Sequence, residues 1–457
     1  MADTQDAVRT RQETPTDWGR YGRRPLRVLA GVALIDAIDR GILPGVLTRV
    51  QDDFGFSDTR AGFLGTAFVI TGFLVTLPAG WAADRFNRTR IISMVLLSWG
   101  AISALNAAVR NYWQFAVVRA ALGVGETVDN PASSSLIADY YRPERRSRAF
   151  AFIRVAPLAG SAIGLALGGL VGARLGWRWA FLLVGVPGSL LALATLRLPE
   201  PRRGESDEEV VDEAAAPVVP PTAPPPPRRE GARTVFTDIR VALAVPSLRA
   251  LMVGSAIATG ALAGIGFWAP AFYERHADMS SDQSAGLVGA LILIGAISGT
   301  IIGGRVADRL RARDVGAPML VTGVAQAAGA IIFVPTFLPT PIWFRMPVQV
   351  LGVACILGGL PGLSTMISEV VPPSLRGITF SLTGFLGAVV GAGSPFLIGF
   401  LADQFAITVD GELKGHLANA FLCVMPLVFA GALVVLNGRR HVAADVARAR
   451  EAGQVDA

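Results

Sequence analysis

The sequence predicts an all-α membrane protein of twelve transmembrane helices arranged in two six-helix halves. Its 457 residues are 52% hydrophobic and only 17% charged, with a mean hydropathy of +0.49, which excludes an ordinary soluble domain. Apolar blocks of roughly 18 to 28 residues recur between residues 26 and 437, each able to cross a hydrocarbon core about 30 Å thick. Short motifs in the first half also return in the second.

The first-half spans are read at 26–48, 60–82, 90–109, 113–139, 147–174 and 178–198. Those of the second half fall at 245–274, 281–306, 317–337, 342–371, 377–403 and 416–437. A polar tail, 1–25, precedes the first block, which lacks a small-residue cleavage site and so reads as a retained span. Thus 26–198 is the first bundle, 245–437 the second, and 438–457 a tail. Between the bundles, 199–244 carries an acidic run at 205–213 and a proline run at 217–227, and is expected to be an extended, disordered linker.

Arginines concentrate in the N-terminal tail and the even-numbered loops, at Arg85, Arg88, Arg90, Arg142, Arg145, Arg309 and Arg311 among others, while odd loops carry Asp52, Asp53, Asp278 and Asp410. The positive-inside rule then places both termini in the cytoplasm. The net charge of +6 is therefore a topology signal, and no nucleic-acid partner is expected. Cys355 and Cys423 lie inside apolar blocks and read as packing residues. No metal-ligand cluster or nucleophile–base pair is visible, so neither a metal, another cofactor nor an enzyme is expected.

The repeats are specific. Gly80-Trp-Ala-Ala-Asp84-Arg85 at the end of span 2 returns as Gly304-Arg-Val-Ala-Asp308-Arg309 at the end of span 8. Ile137-Ala-Asp139 returns as Ile367-Ser-Glu369. Gly80-x-x-x-Asp84-Arg85-x-Asn87-Arg88-x-Arg90 resembles the loop signature of major facilitator superfamily transporters, whose fold is two six-helix halves in parallel repeat. The resemblance implies a conformational latch made by Gly80, Asp84, Arg85 and Arg88 and, in the second copy, Gly304, Asp308 and Arg309. Asn87 stands where the family usually has glycine, and asparagine tolerates a left-handed turn.

Charges inside apolar spans are costly and face a protein interior or a water-filled cavity. Span 1 holds Asp36, Asp39 and Arg40; span 4 holds Arg119, Glu126 and Asp129, with Asn130 beside them; span 5 holds Arg154. Counting about 1.5 Å per residue, Asp39, Arg40, Arg119 and Glu126 can meet between the outer third and the midplane, with Asp36 near the centre and Asp129 near Arg154 below. These groups read either as structural ion pairs joining spans 1, 4 and 5 or as a proton site, since close carboxylates raise one another's pKa. His276, His416 and His441 sit at span ends or outside.

Asp39-Arg40, with Arg119-Ala-Ala-Leu-Gly-Val-Gly125-Glu126 and Ile137-Ala-Asp139, resembles the spinster branch of that superfamily, which exports lysophospholipids and sphingosine-1-phosphate in animals and has bacterial members. The resemblance covers chiefly the first half. It implies proton coupling and headgroup binding by Asp39, Arg40 and Glu126. Two departures stand out: Asp36 replaces the usual asparagine, and Thr127-Val-Asp129-Asn130-Pro131 replaces a more neutral segment.

The second half has little buried charge and many glycines, which chiefly allow close helix packing. An amphiphile is therefore expected to place its headgroup toward Arg40, Arg119, Glu126, Asp129, Asn130 and Arg154 and its tail along Phe267, Trp268, Phe385 and Phe396. The expectation is a monomeric, proton-coupled carrier of the bacterial inner membrane, working by alternating access on a lysophospholipid or related lipid, with Asp36, Asp39 and Glu126 as proton sites. The competing readings are a multidrug or small-metabolite proton antiporter of the same fold and a non-transporting membrane sensor or scaffold.

Overall fold

A computed structural model describes residues 18, 20–202, 205–206, 232–371, 375–409 and 412–455. The side chains of residues 76–85, 126–131, 143–144, 147, 151, 154, 232–236, 377, 408–409, 412–414 and 450–455 lie outside that description. The first half comprises α1 (Arg24–Phe54), α2 (Asp58–Arg85), α3 (Arg88–Leu105), α4 (Tyr112–Tyr140), α5 (Pro143–Arg174) and α6 (Trp177–Leu196). The second half opens with a short helix, α7 (Ala232–Ala244), followed by α8 (Pro246–His276), α9 (Ser281–Arg311) and α10 (Ala317–Phe333). It continues through α11 (Ile342–Gly358), α12 (Leu360–Val370), α13 (Arg376–Gln404), α14 (Leu417–Gly438) and α15 (Val442–Val455).

Every predicted span is helical. The tenth is split between α11 and α12, where Pro361 in the first turn of α12 has no N–H to continue the preceding helix. Eight helices carry a window apolar enough to cross a membrane by composition, among the described residues. A small antiparallel hairpin, β1 (Ile407–Val409) and β2 (Glu412–Lys414), joins α13 to α14.

Two stretches depart from the sequence expectation. Residues 232–244, read as disordered linker, form α7, which packs on α8 and α13. Its Ala242 is fully buried in a cluster with Leu248 and Met319. The C-terminal tail forms α15, which folds back so that the buried Asp445 carboxylate accepts from the Ser247 amide at 3.0 Å and its hydroxyl at 2.5 Å, capping the start of α8.

Turn chemistry sets the reversals. Gly55, at φ 64°, closes α1 by donating its N–H to the Gln51 carbonyl at 2.7 Å. Asn87 does not take the left-handed turn: at φ −67° it is the N-cap of α3, its side chain accepting from the Arg90 amide at 2.9 Å. A terminal asparagine side chain facing four unpaired helix N–H groups is better used as an acceptor than as a turn former.

We call the end of the bundle bearing the start of α1 the terminal face and the end bearing Gly55 the distal face. Within the first half, α1 lies directly on α5. A Cβ on Gly41 would stand 2.6 Å from the Ser161 carbonyl, so only glycine permits this approach. The halves meet along α2 with α13 and α5 with α9, and Thr66 donates across the first seam to the Ala392 carbonyl at 2.5 Å.

Candidate functional site

Between the halves lies a cavity of about 490 Å³ bounded by α1, α5, α8, α9, α10 and α11. Its wall is largely apolar, with Leu165, Leu262, Phe267, Leu291 and Val353 among its residues. The polar exceptions are Arg40, Ser161, Thr259 and Gln349. Gln349 is oriented because its carbonyl oxygen accepts from the buried Tyr273 hydroxyl at 2.5 Å. Arg40, near the midpoint of α1, is the cationic group of the lining; its side chain is 42% exposed and pairs with Asp36 at 3.1 Å, one turn along the same helix.

Asp39 faces elsewhere. Successive helical residues are about 100° apart, so Asp39 and Arg40 cannot share a face. Asp39 is 1% exposed, accepts from the Ser103 hydroxyl at 2.7 Å and lies 3.6 Å from Arg119. Arg119 is itself buried between the Phe68 and Phe181 rings, at 5.5 and 5.7 Å from their centroids. The predicted upper cluster is thus divided into an internal Asp39–Arg119–Ser103 group within the first half and an Arg40–Asp36 pair whose arginine lines the cavity. Arg119 is not part of this cavity lining. The side chains of Glu126, Asp129, Asn130 and Arg154 lie outside the described residues.

The predicted tail-binding aromatics also separate. Phe267 lines the cavity. Trp268 is fully buried and donates its indole N–H to the Pro395 carbonyl at 2.9 Å, joining α8 to α13 as a structural strut. Phe385 stacks at a tilt on Phe73 across the seam between the halves, with centroids 4.7 Å apart. Neither Phe385 nor Phe396 lines this cavity.

At the terminal face, Arg88 is nearly fully buried. It pairs with Asp139 at the end of α4, with Glu200 at 2.8 Å, and donates to the Pro201 carbonyl at 3.1 Å. Asp139 belongs to the first half, while Glu200 and Pro201 follow α6 at the start of the connecting stretch, so Arg88 ties the start of α3 to the end of α4 and to the chain leaving α6. The second half repeats the device with Arg311, which pairs with Glu369 at 2.6 Å. Gly304 packs on Pro361 of its own half, and Asp308 and Arg309 are exposed. The side chains of Asp84 and Arg85, together with Gly80, lie outside the described residues.

The distal face carries an inter-half closure that the sequence reading missed. Arg275, in the last turn of α8, holds Asp58 at the start of α2 through two contacts of 2.7 and 2.9 Å and reaches Gln51 of α1 at 3.1 Å. Reciprocally, Asp403 near the end of α13 accepts from the Asp58 amide at 3.1 Å, the Thr59 amide at 2.8 Å and the Thr59 hydroxyl at 2.6 Å. A carboxylate from one half thereby caps a helix of the other, where the unpaired N–H groups and the positive end of the helix dipole favour it. The available signal was the acid–base complementarity of span ends, Asp58 against Arg275.

Comparison with known proteins agrees with this architecture. Residues 29–395 match the family model described as Major Facilitator Superfamily. The chain is 28% identical over 467 residues to protein spinster homolog 3 of Mus musculus, covering 96% of this chain and 88% of the relative. It is 28% identical over 410 residues to an MFS-type efflux pump of Mycolicibacterium smegmatis, covering 88% and 90%. Its fold superposes with a TM-score of 0.81 on a solved bacterial homolog of the human lysosomal transporter spinster in an inward-facing, unoccupied conformation, at 21% identity and covering 93% of this chain and 99% of that one. With membrane-length helices in two halves around a central cavity, the chain belongs to the major facilitator superfamily of transporters, with spinster proteins among the relatives it resembles.

Proposed function

We propose that the protein is a proton-coupled secondary transporter that moves an amphiphilic lipid, a lysophospholipid or a close chemical relative, by alternating access of its two halves, as a monomer in the bacterial inner membrane with the terminal face cytoplasmic. The observation that carries the substrate class is the cavity: an apolar enclosure with Arg40 as its cation and Gln349 as a neutral polar group on the opposite half. An anionic headgroup gains a charge-assisted contact at Arg40, and an acyl chain is accommodated by Leu262, Phe267 and Leu291. A sugar would leave that apolar wall unused.

Proton coupling rests on Asp36, Asp39 and Glu126. In this reading, protonation of Asp36 releases its partner Arg40 and so ties the charge state of α1 to headgroup binding; the pairing that supports it is Asp36–Arg40 at 3.1 Å. Protonation of Asp39 acts in the same way on Arg119, 3.6 Å away inside the first half. The loop residues Gly80, Asp84 and Arg85 are assigned the latch at the terminal face. The test is uptake of lysophospholipid into proteoliposomes under an imposed pH gradient. Arg40→Ala is expected to abolish saturable uptake, and Asp36→Asn or Glu126→Gln to remove its dependence on the gradient; wild-type behaviour in all three would overturn the reading. The similarity to an efflux pump supports a second reading, extrusion of amphiphilic drugs through the same cavity. Dye transport that lysophospholipid does not compete for would favour it.

A further inference from the structure

A separate hollow of about 350 Å³ opens at the terminal face between α8 and α14, remote in sequence from every residue of the central lining except those of α8. Its rim is basic: Arg249 in the first turn of α8, with Arg440 and His441 directly after α14. Arg440 donates through Nε to His441 Nε2 at 3.2 Å, which orients its guanidinium. Two acids at this end of the fold are already engaged, Asp445 by Ser247 and, at 2.5 Å, by Arg448, and Asp314 by Arg439 at 2.6 Å. One turn further from the face, the lining changes to Val253 and Val434, both exposed. The groove exists because α8 and α14 approach closely behind it: a Cβ on Gly438 would stand 2.5 Å from that of Ala250.

We propose that this hollow binds an anionic membrane phospholipid, its phosphate against Arg249 and Arg440 and an acyl chain along Val253 and Val434. Charge and position select this occupant together. Two arginines at the ends of membrane-spanning helices complement a phosphate at headgroup depth, and arginine forks match phosphate oxygens. The exposed valines one turn deeper enter the acyl region, a half of the site that a soluble anion would leave empty. The site is independent of the substrate cavity and of the transport reading.

The experiment is thermal unfolding of the purified full-length protein in neutral detergent, titrated with phosphatidylglycerol, with phosphatidylcholine of the same chains, or with glycerol 3-phosphate. Phosphatidylglycerol is expected to raise the unfolding midpoint beyond phosphatidylcholine, and glycerol 3-phosphate to leave it unchanged. R249Q/R440Q should weaken the apparent phosphatidylglycerol affinity about 25-fold, taking about five-fold for each arginine. R305Q/R313Q, which removes the same charge elsewhere on the terminal face, should leave that affinity unchanged. V434W keeps both arginines and fills the groove, so it should also weaken binding, and it decides the matter if the double arginine variant does not fold. Full phosphatidylglycerol response in R249Q/R440Q or V434W, equal loss in R305Q/R313Q, or an equal response to glycerol 3-phosphate would overturn the proposal.

Discussion

Removing Arg275 should unfasten the distal face. In the closed arrangement its side chain is 14% exposed and that of Asp58 only 3%, so Arg275→Gln leaves a carboxylate in a protein environment without its principal counter-charge. Breaking one side of such a buried pair costs about 3 to 5 kcal/mol. When the distal face opens, both groups become hydrated and the penalty disappears, so nearly all of it enters the equilibrium between the two arrangements. Taking the lower figure, about 3 kcal/mol, the ratio of distal-open to distal-closed forms rises about 150-fold. Residual contacts hold the estimate to that lower bound, since Asp403 still caps α2 from the opposite half.

The assay is pulsed electron resonance between spin labels on Arg110→Cys, in the exposed loop before α4, and Pro339→Cys, before α11, with Cys355 and Cys423 replaced by serine. The wild-type distance distribution should be dominated by the short, closed component, with R275Q shifted to the long one. D58N should behave similarly, and the D58N/R275Q double variant should shift less than the sum of the singles, because it leaves neither charge stranded. Distributions that coincide in all four proteins would refute the assignment of this pair as the distal closure.

Other expectations follow from the same contacts. Asp403→Ala removes three inter-half hydrogen bonds at a helix N-terminus and should favour the distal-open form by about 1 to 2 kcal/mol, read by the same label pair. Arg88→Ala should destabilise the fold by about 3 to 5 kcal/mol, and Arg88→Lys should recover little, because a compact ammonium does not span the separate positions at which Nε, Nη1 and Nη2 meet Glu200, Asp139 and the Pro201 carbonyl. Thermal unfolding in detergent measures both. Gly41→Ala should cost about 1 to 3 kcal/mol by overpacking α1 against α5, while Gly387→Ala, with nothing within 4 Å, should be near neutral in the same measurement.

The helices were legible because an apolar block of membrane length admits one regular structure, and the halves because their motifs repeat. What depth counting could not supply was azimuth. Asp39 and Arg40 are neighbours in sequence and at one depth, yet α1 turns one toward Arg119 and Ser103 and the other toward the cavity. Trp268 read as a tail contact because indole suits an amphiphile, but a buried indole N–H requires an acceptor and found the Pro395 carbonyl. Nothing local in the sequence links Arg275 to Asp58, which lie more than two hundred positions apart. The basic patch around Arg249 and Arg440 was hidden for the same reason, its parts lying on two helices far apart in the chain.

The paired braces at the terminal face suggest how the halves move as bodies. Arg88 joins the start of α3 to the end of α4 in one half, and Arg311 joins the end of α9 to α12 in the other. Each is an intra-half tie made by equivalent parts of the repeat, Asp139 and Glu369 occupying the same place in the two motifs. A tie of this kind stiffens its own half without adding cost to separation of the halves, whereas Asp58–Arg275 and Asp403–Thr59 add cost only to separation. Distal ties and terminal braces should therefore respond differently to mutation. Arg311→Gln should lower thermal stability while leaving the Arg110–Pro339 label distances as in the wild type, and R275Q should move those distances with a smaller loss of stability. If Arg311→Gln shifts the distance distribution as strongly as R275Q, the second half does not move as a rigid body and the division of labour between the two kinds of contact is wrong.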